Sequence, residues 1–426
     1  MDDGSRCDAT GPSPAGGPRT GSGVLAGVRV LDMARVLAGP WAAQLLADFG
    51  AEVIKLERPG GGDDSRAWEP SFESGRVPGM RVAGYFCAAN RGKRSVTVDF
   101  AKPEGARLVR ELAAASDVLI ENYKTGTLAR YGLGPEQLLE VNPRLVYCSV
   151  TGFGQTGPYR ERSGYDSIIQ AIGGMMSITG ERDGMPGAGP QRAGVPVIDI
   201  MTGVYAAFAV VAALRERDRS GRGQVVDLAL LDVQVSALSY FGMNYLASGR
   251  VPVRMGNSNP VTFPSGNFDA SDRPIVLLVG NDAQFARFSE ALGRPELAAD
   301  ERFVTSPQRV RHAASLTAII APIIASRPAA HWMAELEARG VPCGSINDLK
   351  AVFDDPQVRA RGNVERAWHP VFGEIPILAN PVRMSRTPAS YEVPPPLLGE
   401  HTAEVLATVL GLGECDLAAL RDKGVV

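Results

Sequence analysis

A chain of 426 residues that is 45% hydrophobic has the material for a large core and a length suited to two or three domains. Its 44 Lys and Arg nearly balance 47 Asp and Glu, giving a net charge of -3 with no basic run, which excludes a nucleic-acid footprint. Five cysteines without CxxC spacing support neither a zinc ribbon nor a disulfide framework and fit a reducing cytoplasm, the expected location.

Residues 1–23 are polar, rich in Gly, Pro and Ser, and carry two early acids. This is the reverse of a secretory signal, and the stretch reads as a disordered tail. Residues 27–33 read as a strand, 41–49 as a helix with apolar spacing of three and four, and 52–57 as a second strand, together a βαβ unit. The pattern returns as a strand at 95–99, a helix at 103–115 with Pro near its start, and strands at 118–121 and 145–149. A parallel, doubly wound α/β sheet follows. Such sheets bind ligands beyond the carboxyl ends of their strands, which makes the loops 33–40, 57–64 and 122–130 the candidate ligand edge. The first of these has no GxGxxG, and the chain has no GxxxxGK phosphate loop and no GxSxG elbow.

The run 151–203 is far richer in glycine than its flanks. Glycine lets a backbone adopt positive φ and approach a ligand closely, so a glycine-rich loop beside one acid can aim N–H donors at a reacting carbonyl. Asp183, within Gly180-Glu181-Arg182-Asp183-Gly184-Met185-Pro186, is that acid, although Asp before Gly is also ordinary turn chemistry. A helix at 199–217, a turn at 219–224, a strand at 225–228 and a helix at 231–247 come next. The most apolar stretch, 204–214, is about half of what a membrane span requires, so no crossing is expected.

Residues 249–272 are irregular and mark a domain change. A smaller mixed module follows, with a strand at 275–279 and helices at 282–292, 316–325 and 329–339. The chain then returns from residue 341 through an extended Pro-rich passage at 393–398 to a final helix at 402–410. The expected division is a large domain from 24–228, linker helices and a small domain over 229–335, and a segment from 336–426 that completes the large domain.

All four histidines lie beyond residue 311 and none sits in a cluster of acids, so a histidine triad or metal site has little support. Carboxylate chemistry remains. An aspartate held against an acyl thioester can act as a nucleophile and form a mixed anhydride. Gly173, Gly174, Gly184, Gly187 and Gly189 are the candidate N–H donors for the tetrahedral intermediate.

From about residue 25 to the end, the chain resembles the family III CoA-transferases of the CaiB/BaiF type. The motifs that carry this include Arg35-Val36-Leu37-Ala38-Gly39-Pro40, Asn90-Arg91-Gly92-Lys93-Arg94-Ser95, Gly152-Phe153-Gly154-Gln155-Thr156-Gly157-Pro158 and Gly340-Val341-Pro342-Cys343-Gly344. Each is weak alone; their order and coverage carry the resemblance. It implies a Rossmann-like large domain built from both chain ends, a smaller inserted α+β domain, and a homodimer of interlocked rings. It also implies that Asp183 is the acyl-accepting nucleophile, with acyl-CoA and a carboxylic acid as substrates, succinyl-CoA or another dicarboxylyl-CoA as a plausible donor by family habit, and no permanently bound cofactor.

For CoA, the matching positions are Leu37 and Ala38 on the adenine side and Arg58 and Arg130 at the phosphates, where a guanidinium fork suits phosphate oxygens. Val98, Asn122, Tyr123, Lys124 and Thr151 line the rest of the channel in this reading. Two departures stand out. Lys124-Thr125-Gly126 replaces the common Arg-Pro-Gly, and Met255-Gly256-Asn257-Ser258-Asn259-Pro260 replaces the glycine-only loop of the oxalate branch, which disfavours oxalate as acceptor. The family's racemases use a His where this chain has Tyr165 in Gly164-Tyr165-Asp166, and tyrosine is a poor base near neutral pH. Asp199 matches the racemase acid but also suits a helix N-cap. The rival readings are therefore a 2-methylacyl-CoA racemase and a non-catalytic acyl-CoA-binding protein.

Overall fold

The computed structural model describes residues 23–259 and 261–426, so the expected tail lies outside the described residues apart from Gly23. Two compact units divide the chain. One comprises residues up to Gly173, Gly194–Ser239 and Arg361–Val426; the other comprises Gly174–Ala193 and Tyr240–Ala360. These boundaries differ from the sequence expectation of 229 and 336, because the chain leaves the first unit only after Ser239 and rejoins it at Arg361. The Asp183 segment also belongs to the second unit, although it lies far from the rest of that unit in sequence.

Five short strands that are almost continuously buried dictate a sheet covered on both faces over most of its width. The first unit accordingly holds a six-stranded, all-parallel sheet in the order Lys93–Thr97, Glu52–Glu57, Arg29–Asp32, Val118–Glu121, Val146–Thr151, Gln224–Ala229. The helix Pro103–Ala114 and the C-terminal helix Thr402–Leu410 bury Leu108, Leu112, Val405 and Leu406 in one core with Leu31, Ile54 and Val96 of the strands. A further helix, Glu414–Asp422, follows the one expected to be last and adds Leu417 and Leu420 to that core. The return segment is stitched to the sheet by Thr97 N donating to Thr402 Oγ1 at 3.0 Å, His401 N to Ser95 O at 2.9 Å and Asp99 N to Val425 O at 2.7 Å.

The helices Ala38–Asp48 and Val197–Ser220 pack together within this unit. At 24 residues the second is longer than the apolar stretch read from sequence, and by length and composition alone it could cross a membrane. Here it buries Thr202, Gly203, Ala206, Val210 and Leu214. Gly203 makes the approach possible, since a Cβ there would sit 2.7 Å from the Ala38 carbonyl oxygen and 3.0 Å from Trp41 Cβ. The helix expected at 231–247 is two helices, Leu230–Ala237 and Ser239–Ser248, broken where Ser239 takes φ 49°.

In the second unit an antiparallel sheet ordered Cys343–Ser345, Pro274–Leu278, Ser265–Asp269 packs with the helices Asp282–Ala291, Ala313–Ala325 and Ala329–Glu337. Phe285, Phe288, Leu316, Ile320 and Trp332 form its core. Arg309 is fully buried there, and its guanidinium is satisfied by the carbonyls of Phe263 and Phe303 and by Asp282.

Adding one methyl at Gly203 wedges the helices Ala38–Asp48 and Val197–Ser220 apart. Gly203→Ala should lower unfolding stability by about 1–3 kcal/mol in denaturant titration; an unchanged midpoint would show that the contact yields freely.

Candidate functional site

Strand order places Asp32, Lys55 and Ser95 side by side, with Lys55 opposite both Asp32 and Ser95. Burying such charges is tolerable only if every one is paired. Lys55 donates to Asp63 Oδ2 and to the Ala34 carbonyl, both at 3.0 Å, while Lys93 donates to Asp32 Oδ2 at 2.7 Å, the Pro40 carbonyl at 2.8 Å and Asn90 Oδ1 at 2.9 Å. Asp32 Oδ1 accepts from Ala34 N at 3.0 Å, and Asp63 accepts from Val36 N at 3.2 Å. Val36 has φ 70°, an unfavourable conformation for a β-branched residue. The backbone of the first loop is thus held from below by side chains of three strands and the Asp63 turn.

Burial favours a protonated Asp63, but Lys55 and the Ser65 hydrogen bonds outweigh it and hold the carboxyl at about 2. Burial opposes charge on Lys55 as well, yet Asp32, Asp63 and Glu57 raise its affinity for the proton above the ordinary value. Lys93 is pushed down to about 8 by burial, which the charge of Asp32 only partly offsets. Glu57 completes the base by accepting from Asp63 N, Ser95 Oγ and both ends of the Arg66 fork, and Arg66 also reaches the Pro396 carbonyl at 3.0 Å.

Two clefts open above this base. The first is lined by Arg35, Leu37, Ala38, Asn122, Tyr123, Lys124, Thr151, Arg160, Arg162, Tyr165 and Asp199 among others. The second includes Arg35, Arg58, Val98, Phe100, Tyr123 and Tyr131, so Arg35 and Tyr123 are common to both. Of the residues matched from sequence, Leu37, Ala38, Asn122, Lys124 and Thr151 meet in the first cleft, Arg58 and Val98 in the second, and Tyr123 in both. Arg130 lies exposed on the short turn Leu128–Tyr131 and lines neither.

Asn122 spends its amide on the backbone of the first loop: Oδ1 accepts from Arg35 N at 2.9 Å and Nδ2 donates to Arg35 O at 2.7 Å. The helix Ala38–Asp48 begins at the cleft without a side-chain cap, which leaves its first N–H groups as donors for a ligand. Sequence reasoning missed Arg35, Phe100 and Tyr131. Arg35 stood inside a quoted motif; the aromatic wall had no local signal, since Phe100 meets Tyr123 at 5.5 Å and Tyr131 at 5.4 Å only through folding.

At the end of the sheet, Asp166 accepts from Ile198 N at 2.8 Å and Asp199 N at 3.2 Å. The carboxylate serving the first turn of Val197–Ser220 therefore comes from Asp166, and Asp199 sits inside that turn rather than capping it. Tyr165 is 68% exposed. Burial, reinforced by Asp166, pushes the Asp199 carboxyl up to about 7.

In the second unit, the Asp183 loop is bounded by Gln191 N donating to Thr179 O at 2.9 Å and by a bridge between Glu181 and Ala188. Gly180, Gly184, Gly187 and Gly189 all have positive φ. Gly180 is obligatory, because a Cβ there would lie 2.1 Å from the Gly189 carbonyl oxygen. The Asp183 side chain is 83% exposed and pairs with Arg254, whose own side chain is 15% exposed.

Comparison with known proteins defines the class. CoA-transferase family III matches residues 25–402. A succinate–glutarate CoA-transferase of Agrobacterium fabrum is 49% identical over 386 residues, 90% of this chain and 95% of its own length. The human succinyl-CoA:glutarate CoA-transferase is 40% identical over 402 residues, 94% of this chain and 90% of its own. The crystal structure of a CaiB/BaiF family protein from Brucella suis matches with a TM-score of 0.83 at 46% identity, covering 91% of this chain and 100% of that one. The chain is thus an enzyme that handles CoA thioesters and carboxylates. It belongs to CoA-transferase family III.

The displaced titration of Asp199 has a measurable consequence. Its proton is held more tightly in the folded chain than in the unfolded one, where an aspartate titrates at about 4. Between that pH and about 7 the folded state binds more protons, so this group's effect on stability worsens as pH rises through the window. Asp199→Asn should remove that loss, with stability diverging upward from wild type by at most about 1.4 kcal/mol per pH unit. Urea titrations at stepped pH giving parallel curves for the two proteins would contradict this.

Proposed function

We propose that the enzyme transfers CoA from a dicarboxylyl-CoA such as succinyl-CoA to a second dicarboxylic acid such as glutarate, through covalent chemistry on Asp183. The observation that carries the substrate class is the 49% identity to a relative named as a succinate–glutarate CoA-transferase. The nucleophile assignment is supported by an exposed carboxylate on a turn of positive-φ glycines, where an acyl group meets little steric resistance.

In this reading an Asp183 oxygen attacks the donor thioester carbonyl, the C–S bond breaks, and CoA leaves as the thiolate with a mixed anhydride left behind. The thiolate then attacks the aspartyl carbon and expels the donor acid as a carboxylate, giving an aspartyl-CoA thioester. The acceptor carboxylate repeats both steps in reverse and restores Asp183. No proton is gained or lost overall, and the chemistry calls for neither a metal nor a resident cofactor. Water must be kept from the anhydride.

CoA is assigned to the two adjoining clefts, with Leu37 and Ala38 on the adenine side and Val98, Tyr123, Lys124 and Thr151 along the channel. Arg58 and Arg35 take the phosphates, since Arg130 lines neither cleft. Asn122 fixes the loop that presents Arg35. A homodimer of interlocked rings, working in the cytoplasm, belongs to the same reading. The dimer is supported by large apolar side chains that a single copy leaves exposed in each unit, such as Phe208 at 71% in the first and Leu246 at 75% in the second.

Initial rates with succinyl-CoA and glutarate should give the parallel double-reciprocal lines of a ping-pong enzyme. Asp183→Ala should abolish exchange while CoA binding persists. Normal turnover by Asp183→Ala would refute the assignment.

A further inference from the structure

Arg254 is fixed to the Asp183 turn at several points. Its Nη2 donates to Asp183 Oδ1, and its Nε donates to the Glu181 carbonyl at 3.3 Å. Two residues on, Gly256 N donates to the Gly180 carbonyl at 2.9 Å, so the segment bearing the arginine and the turn bearing the aspartate are held together. Gly180 also leaves space that the arginine uses, since a Cβ there would come within 3.3 Å of Arg254 Cδ. The guanidinium side chain is only 15% exposed, whereas its anionic partner is 83% exposed.

The chemistry assigned to Asp183 makes this pairing intermittent. As a mixed anhydride or a CoA thioester, Asp183 carries no negative charge, and a largely buried guanidinium beside it is left without its anion. At the thioester stage the anion at hand is the free acid, either the donor just expelled or the acceptor about to attack. A planar guanidinium fork is matched to a carboxylate.

We propose that Arg254 docks the reacting carboxylate: it pairs with Asp183 in the resting enzyme and with the substrate acid while Asp183 is a thioester, a role that rests on the Asp183 mechanism above. The acceptor oxygen, held at Arg254, attacks the aspartyl carbon; the C–S bond breaks and its electron pair leaves with CoA. Thiolate attack on the acceptor's new acyl carbon then breaks the C–O bond to Asp183, which departs as a carboxylate and returns to Arg254. The arginine thus alternates between two anions of the same chemical type, neither of which needs a proton.

The test uses the full chain, with wild type, Arg254→Gln and Arg254→Lys each charged with succinyl-CoA and followed by intact-protein mass while glutarate is titrated in. Wild type should form the aspartyl-CoA adduct and lose it at low glutarate. Arg254→Gln should still form the adduct but require about tenfold or more glutarate to discharge it, with KM for glutarate raised and KM for succinyl-CoA little changed. Arg254→Lys, which keeps the charge without the fork, should fall between them, and it carries the test if Arg254→Gln does not fold. An Arg254→Gln adduct that discharges at the wild-type glutarate concentration overturns the docking role alone, as does an equal rise in both KM values. A wild-type enzyme that forms no adduct overturns the Asp183 mechanism and the docking role with it.

Discussion

Lys55 and Asp63 are both withdrawn from solvent, and neither could remain there without the other. A buried pair of this kind is a poor source of net stability, yet removing one partner strands the other at a cost of about 3–5 kcal/mol. Its value here lies in what else the two groups hold. Lys55 grips the Ala34 carbonyl and Asp63 grips the Val36 N–H, so the pair reaches through to the loop that forms the shared wall of both clefts. With Lys93 and Asp32 doing the same one strand away, the backbone from Ala34 to Pro40 has little freedom. A ligand that meets a preformed loop loses less binding free energy to ordering it.

Charge is handled differently beneath the clefts of the first unit and at the Asp183 turn of the second. In the first setting, Asp32, Lys55, Asp63 and Lys93 are buried and each is paired, which suits a rigid scaffold. In the second, Asp183 stands exposed on a glycine turn with a mostly buried arginine beside it. The mechanism proposed for Asp183 needs access and room for a tetrahedral carbon, and an exposed side chain on a glycine turn suits both. The pairing with Arg254 gives the carboxylate a defined place without enclosing it.

The fold was legible where the sequence was locally consistent. Buried strands such as 118–121 and 146–151 are largely apolar runs flanked by turn residues, and the helix at 103–114 announces itself with Pro at its start. What failed locally depended on tertiary contacts. The break at Ser239 falls inside an unbroken helical pattern, and Glu414–Asp422 is short and polar enough to pass for a tail. The candidate site was legible in part for the same reason. The Asp183 loop stood out because glycines surround it in sequence, whereas Arg254, which pairs with Asp183 in the fold, lies 71 residues away and gave no sign of that contact. Asp199 looked like a cap because it opens a helix, but the N–H groups there turn to Asp166, 32 and 33 residues earlier. Arg130 fitted the family pattern yet emerged on an exposed turn, because position in a motif does not fix which wall a side chain lines.

In the proposed mechanism Asp183 itself carries the acyl group and then CoA. Peptide mapping of enzyme incubated with succinyl-CoA and quenched with hydroxylamine decides whether it does. An aspartyl hydroxamate should appear at Asp183 with succinyl-CoA and be absent when free CoA replaces it. A hydroxamate on another residue, or none while CoA exchange proceeds at full rate, would contradict it.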